Sequence, residues 1–352
     1  MKINLSGYYG MSNYGDELFS LVTYTAMAKN KCNKVGVISP ENTYHSNVKY
    51  ILSFFPKKIY SRPGFLGGVV RALINSIVLL FTDHLIFSGG STIGKPGLLR
   101  KFQVKMLSSK QISCIGVSVD EVKDDKYEKW LIKFVNSTTF FSVRDLRSYK
   151  YLCSLGLASK VTLAADIAGS LPFYFPEMSV KSNAKSKVLG VSVCSKSKNM
   201  ENLIASIIKI AKVEKYRVKI FCLNEHLTFG DKELSIYTRD KILKNGVDCS
   251  IEYECDNVLE VWSSISKCDF FVSVRLHGAI TAYMAGVPFY MDCYHIKCFD
   301  FLKSINYEHS SKLVKEESEI LQEFTKIIQG DIKPEVKAES YMKSSLLNFK
   351  SF

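Results

Sequence analysis

DFFVSVRLHG, residues Asp269 to Gly278, and TTFFSVRD, residues Thr138 to Asp145, are nearly the same phrase, written once in each half of a 352-residue chain. Each is a short apolar run that ends in Ser-Val-Arg and passes into a stretch of helical period. Such a run reads as a strand buried on both faces of a parallel sheet. Arg144 and Arg275 then emerge at the carboxyl ends of their strands, where open α/β sheets bind ligands. A permanently charged fork at that edge suits a carboxylate or a phosphate. For Arg144 the local alternative is an ion pair with its neighbour Asp145. His277 follows Arg275 by two residues, and an extended backbone there would point both side chains the same way.

Outward from these phrases the chain alternates between apolar runs and amphipathic stretches, the pattern of α/β units on parallel sheets. The first half reads as strands at 2–6, 34–39, 84–88, 112–117 and 139–143, with helices at 17–28, 71–80, 98–108, 127–135 and 146–155. The second half reads as strands at 188–193, 218–223, 270–274 and 289–291, with helices at 201–215, 232–244, 258–266, 279–285 and 316–328. Periodicity fails in FYFPEMSVKSNAKSK, Phe173 to Lys187. The expected organisation is a Rossmann-like domain over 1–175, a linker over 176–187, a second Rossmann-like domain over 188–330 and a tail over 331–352. The fold class is α/β, two such domains facing a cleft.

With 47 Lys+Arg against 34 Asp+Glu the formal charge is +13, which predicts attraction to something anionic. A hydrophobic content of 47% excludes disorder as the main state. The basic run Lys181 to Lys198 has no interleaved aromatics, so it reads as a solvated face, and nucleic-acid binding is not expected. Ten cysteines stand singly without a CxxC, which fits a reducing compartment rather than a disulfide framework. The start of the chain has no signal-peptide pattern, so a cytoplasmic location is expected. The most apolar stretch, Phe65 to Leu80, is interrupted by Arg71 and Asn75 and reads as a core helix, with a membrane-surface helix as the alternative.

Two glycine turns should line the ligand edge of the first domain. GYYGMSNYGDE sets Gly7, Gly10, Asn13, Gly15, Asp16 and Glu17 between the first strand and the first helix, and SGGSTIG sets Gly89, Gly90 and Ser91 after the strand ending near Phe87. Glycines let backbone N–H groups approach a ligand, and a helix start adds partial positive charge. The plain reading is a helix capped by Asn13 with Asp16 and Glu17 answering its dipole. The spacing is not GxGxxG, which argues against a dinucleotide. In the second half Tyr294, His295 and Lys297 follow the strand at 289–291, with Lys297 a further cation for an anion site. No His, Cys or Asp cluster has metal-ligand spacing, so no metal is expected.

Taken in order, these motifs resemble the polysaccharide pyruvyl transferase family. The G-x-x-G-x-x-N-x-G-D-E opening is met from Gly7 to Glu17 and the glycine turn from Ser88 to Ser91. The S-V-R-D-x-x-S stretch is met from Ser142, R-L-H-G-x-I-x-A-x-x-x-G-V-P from Arg275 to Pro288, and Y-x-x-K by Tyr294 and Lys297. Where the family often has a Pro-Asp-Pro-like turn, this chain reads Ala164, Ala165, Asp166, Ile167. The resemblance implies a fold similar to B-type glycosyltransferases and a reaction with no cofactor. Phosphoenolpyruvate, the co-substrate, would form a cyclic ketal on a hexose of a lipid-linked surface glycan, with a peripheral membrane contact. It implies donor binding by Arg144, Arg275, Ser273 and Lys297, acid catalysis by His277 beside Arg275, and an acceptor role for Asp16, with Gly10, Asn13, Glu17, Gly89, Gly90 and Ser91 lining the loops. A nucleotide-sugar glycosyltransferase and a non-catalytic binding protein are the alternatives.

Overall fold

The structure, a computed structural model, describes residues 1–29, 34–40, 57–60, 64–90, 93–94, 110–179, 187–253, 257–307 and 313–352. They divide into two compact units: 1–11, 16–174 and 342–352 form the first, and 12–15 with 175–341 form the second.

In the first unit six parallel strands lie in the order β2-β1-β3-β4-β5-β6. They are β1 (Lys2–Ser6), β2 (Lys34–Val37), β3 (His84–Ser88), β4 (Gln111–Val117), β5 (Phe140–Val143) and β6 (Val161–Leu163). β1 pairs with β2 on one side and β3 on the other, so the strand order reverses beside β1 and β3. Both glycine turns leave the sheet at that reversal. Around it stand α1 (Tyr14–Ala28), α2 (Lys57–Tyr60), α3 (Gly64–Leu80), α4 (Asp125–Ser137), α5 (Leu146–Ser154) and α6 (Leu171–Tyr174). α4 shows why these sequences fold as they do. Asp124 accepts from the N–H groups of Lys126 and Tyr127, and Tyr127, Leu131, Phe134 and Val135 form one buried stripe. Phe134 meets Phe141 of β5 edge to face at 6.4 Å. Truncating Phe141 to Ala would cost about 3–5 kcal/mol through the cavity left. In α3 Ile74, Val78 and Leu79 are buried while Leu73, Ile77 and Leu80 are exposed, as is Phe81 just after it, so this helix shows both an inward and an outward apolar face. Among the described residues no helix is long and apolar enough to cross a membrane.

In the second unit five parallel strands lie in the order β11-β10-β7-β8-β9, the doubly wound Rossmann order. They are β7 (Val188–Ser192), β8 (Arg217–Phe221), β9 (Cys249–Glu252), β10 (Phe270–Ser273) and β11 (Phe289–Met291). The helices are α7 (Met200–Glu214), α8 (Lys232–Lys244), α9 (Val258–Ser266), α10 (Leu276–Met284), α11 (Ile296–Ser304) and α12 (Glu317–Gln329), with α13 (Ala338–Leu346) following. Phe324 of α12 packs between Phe270 and Tyr290 at 5.3 and 4.9 Å, which fastens α12 to the sheet.

Several elements differ from the sequence expectation. β6 and β9 are edge strands of three and four residues, too short for an alternation to register. α10 begins at Leu276 rather than Ala279, so Arg275 and His277 do not share an extended segment. The helix expected at 98–108 lies outside the described residues, as does Ser91. The segment expected as a tail carries α13, and its last residues, 342–352, fold into the first unit. There Asn348 accepts from Ser142 Oγ at 2.7 Å and donates to the Ala165 carbonyl at 2.9 Å.

The same C-terminal segment stacks Phe352 on His84, with ring centroids 5.6 Å apart. Burial holds the His84 imidazole down to about 4, while Nε2 lies 2.9 Å from Ser113 Oγ. A histidine kept neutral in the fold takes up its proton more readily once unfolded. Acidification from about 6.5 toward 4 therefore favours the unfolded chain, with no contribution above that window. Melting curves at about pH 7.5 and pH 5 should show a larger fall for the natural protein than for His84→Gln. Equal falls would remove His84 from the acid sensitivity.

Candidate functional site

In the second unit the strand order reverses between β7 and β10, and the residues that end them face each other. Ser192 and Ser273 are paired in register and fully buried, with their hydroxyls 2.9 Å apart. The Ser273 hydroxyl also donates to the Arg275 carbonyl at 2.6 Å. Ser273 thus shapes the turn from inside, rather than facing outward. Arg275 stands in extended conformation (φ −93°, ψ 129°) as the N-cap of α10, and no side chain caps that helix. The reason is compositional: the equivalent position after Arg144 is Asp145, which caps α5 through Ser148 N–H at 2.8 Å, whereas after Arg275 it is Leu276.

Asp231 fixes the Arg275 guanidinium. Nε donates to one carboxylate oxygen at 2.6 Å and Nη2 to the other at 2.7 Å. The Asp231 side chain is 1% exposed and that of Arg275 18%, so the fork is held from within and reachable from outside. Among the described residues Nη1 has no hydrogen-bond partner in the protein. Burial works against the arginine's charge, but Asp231 more than restores it and raises its pKa. Burial pushes the Asp231 carboxyl up, opposed by the two bonds from Arg275. Tyr294 and Cys194 also sense this charge: burial raises both, and Arg275 partly offsets the rise. Lys196, exposed on the loop after β7, adds a second positive charge that bears on Asp231.

His277 lies half-buried in the first turn of α10. The residues against it come from the opening motif, because Ser12–Gly15 belongs to this unit. Glu225 N–H donates to the Ser12 carbonyl at 2.7 Å, Tyr14 N–H donates to the Leu223 carbonyl at 3.1 Å, and Asn13 bridges Asn224. The Tyr14 hydroxyl lies 2.9 Å from Thr281 Oγ1 of α10. Asn13 Oδ1 accepts from Gly15 N–H at 3.3 Å, which closes the turn. A Cβ on Gly15 would fall 1.8 Å from His277 Nδ1, so the glycine makes room for the imidazole. Lys297 is half-buried in the first turn of α11, its N–H accepted by His295 Nδ1 at 3.3 Å.

The first unit's ligand edge is built differently. Arg144 Nη1 meets Asp166 at 2.7 Å and Nε donates to Ser118 at 3.0 Å, with both ion-pair side chains nearly buried. The Arg144–Asp145 ion pair considered from the sequence is absent because Asp145 serves as the cap. Arg144 therefore ties the ends of β4 and β5 to the turn after β6. Glu17 is fully buried and accepts from Met11 N–H at 3.0 Å, which braces the glycine turn from below. Asp16 is half-buried in the first turn of α1. Gly10, Gly89 and Gly90 all have positive φ, and a Cβ on Gly89 would strike the Phe19 ring at 2.3 Å. Among the described residues no three His, Cys, Asp or Glu side chains converge on a metal position.

Two α/β units of this kind, each a parallel sheet with flanking helices, define the fold of the B-type glycosyltransferases and their relatives. Solved structures share it. UDP-GlcNAc 2-epimerase from Neisseria meningitidis, bound to UDP-GlcNAc, matches with TM-score 0.64 and 12% identity over 100% of this chain and 99% of that one. The Rickettsia bellii UDP-N-acetylglucosamine 2-epimerase matches with TM-score 0.62 and 11% identity, covering 99% and 94%. The Methanocaldococcus jannaschii enzyme, in complex with UDP-GlcNAc and UDP, gives 0.62 and 11%, covering 97% and 98%. At such identities the likeness is one of fold. The family model of polysaccharide pyruvyl transferases matches residues 13–291, and the chain belongs to that family. No curated protein matches it.

Of the two carboxylates that hold the arginines, sequence reading missed Asp231 and noted Asp166 only as part of the altered turn, without its bond to Arg144. A Gly-Asp pair closing the loop after β8 was the available signal for the first. The Gly15 approach yields a direct check. Gly15→Ala should displace the His277 ring, seen as a shift of its Cε1–H resonance with the other histidine signals in place. An unmoved resonance would show that Gly15 does not position His277.

Proposed function

We propose that this protein transfers pyruvate from phosphoenolpyruvate to two hydroxyls of a hexose, forming a cyclic ketal on a surface glycan or its lipid-linked precursor. The observation that carries this reading is the Arg275 fork, gripped by Asp231 on one edge and open on the other, at an uncapped helix start that also bears His277. A donor with a carboxylate and a phosphate needs cations, and its methylene needs an acid. Arg275 is the anion anchor, with Lys297 and Lys196 as auxiliary charges, and His277 is the acid.

In the reaction His277 protonates C3 of the enol, C2 becomes the electrophile, and one sugar hydroxyl adds to it as its proton departs. Phosphate then leaves C2 by C–O cleavage, and the second hydroxyl closes the ring. Of the two hydroxyl protons, one replaces the proton given to the new methyl group and the other leaves with phosphate. The arginine supplies positive charge directly, so the proposal includes neither metal nor cofactor. The +13 charge and the outward apolar face of α3, Leu73, Ile77 and Leu80, continued by Phe81, favour an acceptor presented at an anionic membrane surface.

Incubation with phosphoenolpyruvate and hexose-containing lipid-linked acceptors should release phosphate in the presence of a chelator. His277→Ala should slow that release by about 100- to 10,000-fold while sparing donor affinity. Near-normal turnover in the variant, or strict dependence on a divalent ion, would overturn the mechanism.

A further inference from the structure

The loop that delivers Asp231 to Arg275 also carries an exposed aromatic ring. Between β8 and α8 the chain runs Asn224, Glu225, His226, Leu227, Thr228, Phe229, Gly230, Asp231. Phe229 is 53% exposed and Leu227 57%, an unusual investment of apolar surface in two nearby loop residues. The loop is nonetheless tightly built. Asn224 Nδ2 donates to the Phe229 carbonyl at 3.0 Å, Gly230 N–H donates to the His226 carbonyl at 3.0 Å, and Asp231 N–H donates to the Asn224 carbonyl at 2.7 Å. A Cβ at Gly230 would fall 2.5 Å from the His226 carbonyl oxygen, so the closure admits no side chain there.

The ring itself is pinned. His226, buried beneath it, stacks on one face of Phe229 with centroids 3.5 Å apart and planes 14° from parallel. Thr228 N–H donates to His226 Nδ1 at 3.2 Å and sets the imidazole in that plane. With His226 on one face, Phe229 still keeps half of its surface exposed, two residues from the carboxylate that clamps the anion anchor.

We propose that Phe229, flanked by Leu227, is the stacking platform for the acceptor pyranose, an inference that rests on the pyruvyl transfer reading above. A pyranose has a face of C–H groups bearing slight positive charge, which complements the negative face of an aromatic ring. Hydroxyls at the ring's rim stay free to react. A ring fixed in advance loses little conformational freedom on binding, which is the advantage of building the loop so firmly.

Steady-state kinetics on the full chain, with phosphoenolpyruvate and the lipid-linked acceptor, test this. Phe229→Ala and Phe229→Leu should each raise the acceptor KM by about tenfold, leaving kcat and the phosphoenolpyruvate KM within about twofold. The leucine keeps His226 covered but has no π face. Phe229→Tyr should restore the natural KM. Independently of turnover, saturation-transfer NMR with methyl β-D-galactopyranoside and methyl β-D-glucopyranoside should mark the C–H protons of one sugar face, and Phe229→Leu should erase that pattern. Natural acceptor KM in Phe229→Leu, or an unchanged transfer pattern, would overturn the platform. Absence of phosphate release from the natural protein would instead overturn the reaction, leaving the NMR result to judge the platform alone.

Discussion

The bidentate bond between Arg275 and Asp231 is the interaction on which the second unit's ligand edge depends. Both groups are largely withdrawn from bulk water, and each charge is stabilised there by the other. Removing one partner of such a buried pair costs about 3–5 kcal/mol, mostly because the other is stranded. The pair also decides geometry. It joins the loop after β8 to the turn after β10, which fixes the start of α10 and so the place of His277. Ser192 and Ser273 support the same turn from below through neutral hydrogen bonds.

The two Ser-Val-Arg phrases show how nearly identical words acquire different tasks. In the first unit Asp145 caps the following helix and Arg144 is enclosed by Asp166 and Ser118, so the motif closes the sheet edge on itself. In the second, Leu276 replaces the capping aspartate and the carboxylate partner arrives from another loop, leaving one edge of the fork exposed. A fork with only 6% of its side chain exposed holds strands together. A fork satisfied on one side and open on the other can also hold an anion.

The fold was largely legible because strand burial and helix period are local signals. The runs LIF, SCIGV and FFVS announce buried strands wherever they stand, and the Ser-Val-Arg phrases located both sheet edges. Contacts set by the tertiary path were not legible. Arg275 and Asp231 are 44 residues apart, and Gly15 meets His277 from the far end of the chain. The opening glycine motif suggested a loop around a ligand, whereas residues 12–15 are built into the second unit against α10. The short edge strands β6 and β9 escaped for a different reason, since three or four residues hold too few alternations to distinguish a strand from a loop. The final residues carry Ser345 and Asn348, polar side chains whose buried bonds to the turn around Asp166 no periodicity announces.

We propose that the exposed edge of Arg275, held in place by Asp231, anchors a small donor that carries both a carboxylate and a phosphate. Isothermal titration of phosphoenolpyruvate into the natural protein and into Asp231→Asn, with UDP as the comparison ligand, tests it most directly. Near-ultraviolet circular dichroism would confirm that both proteins are folded. The natural protein should bind phosphoenolpyruvate saturably, with affinity weakened by about tenfold or more in the variant and UDP giving little heat in either. Equal phosphoenolpyruvate affinity in the two proteins, or tighter binding of UDP than of phosphoenolpyruvate, would contradict it.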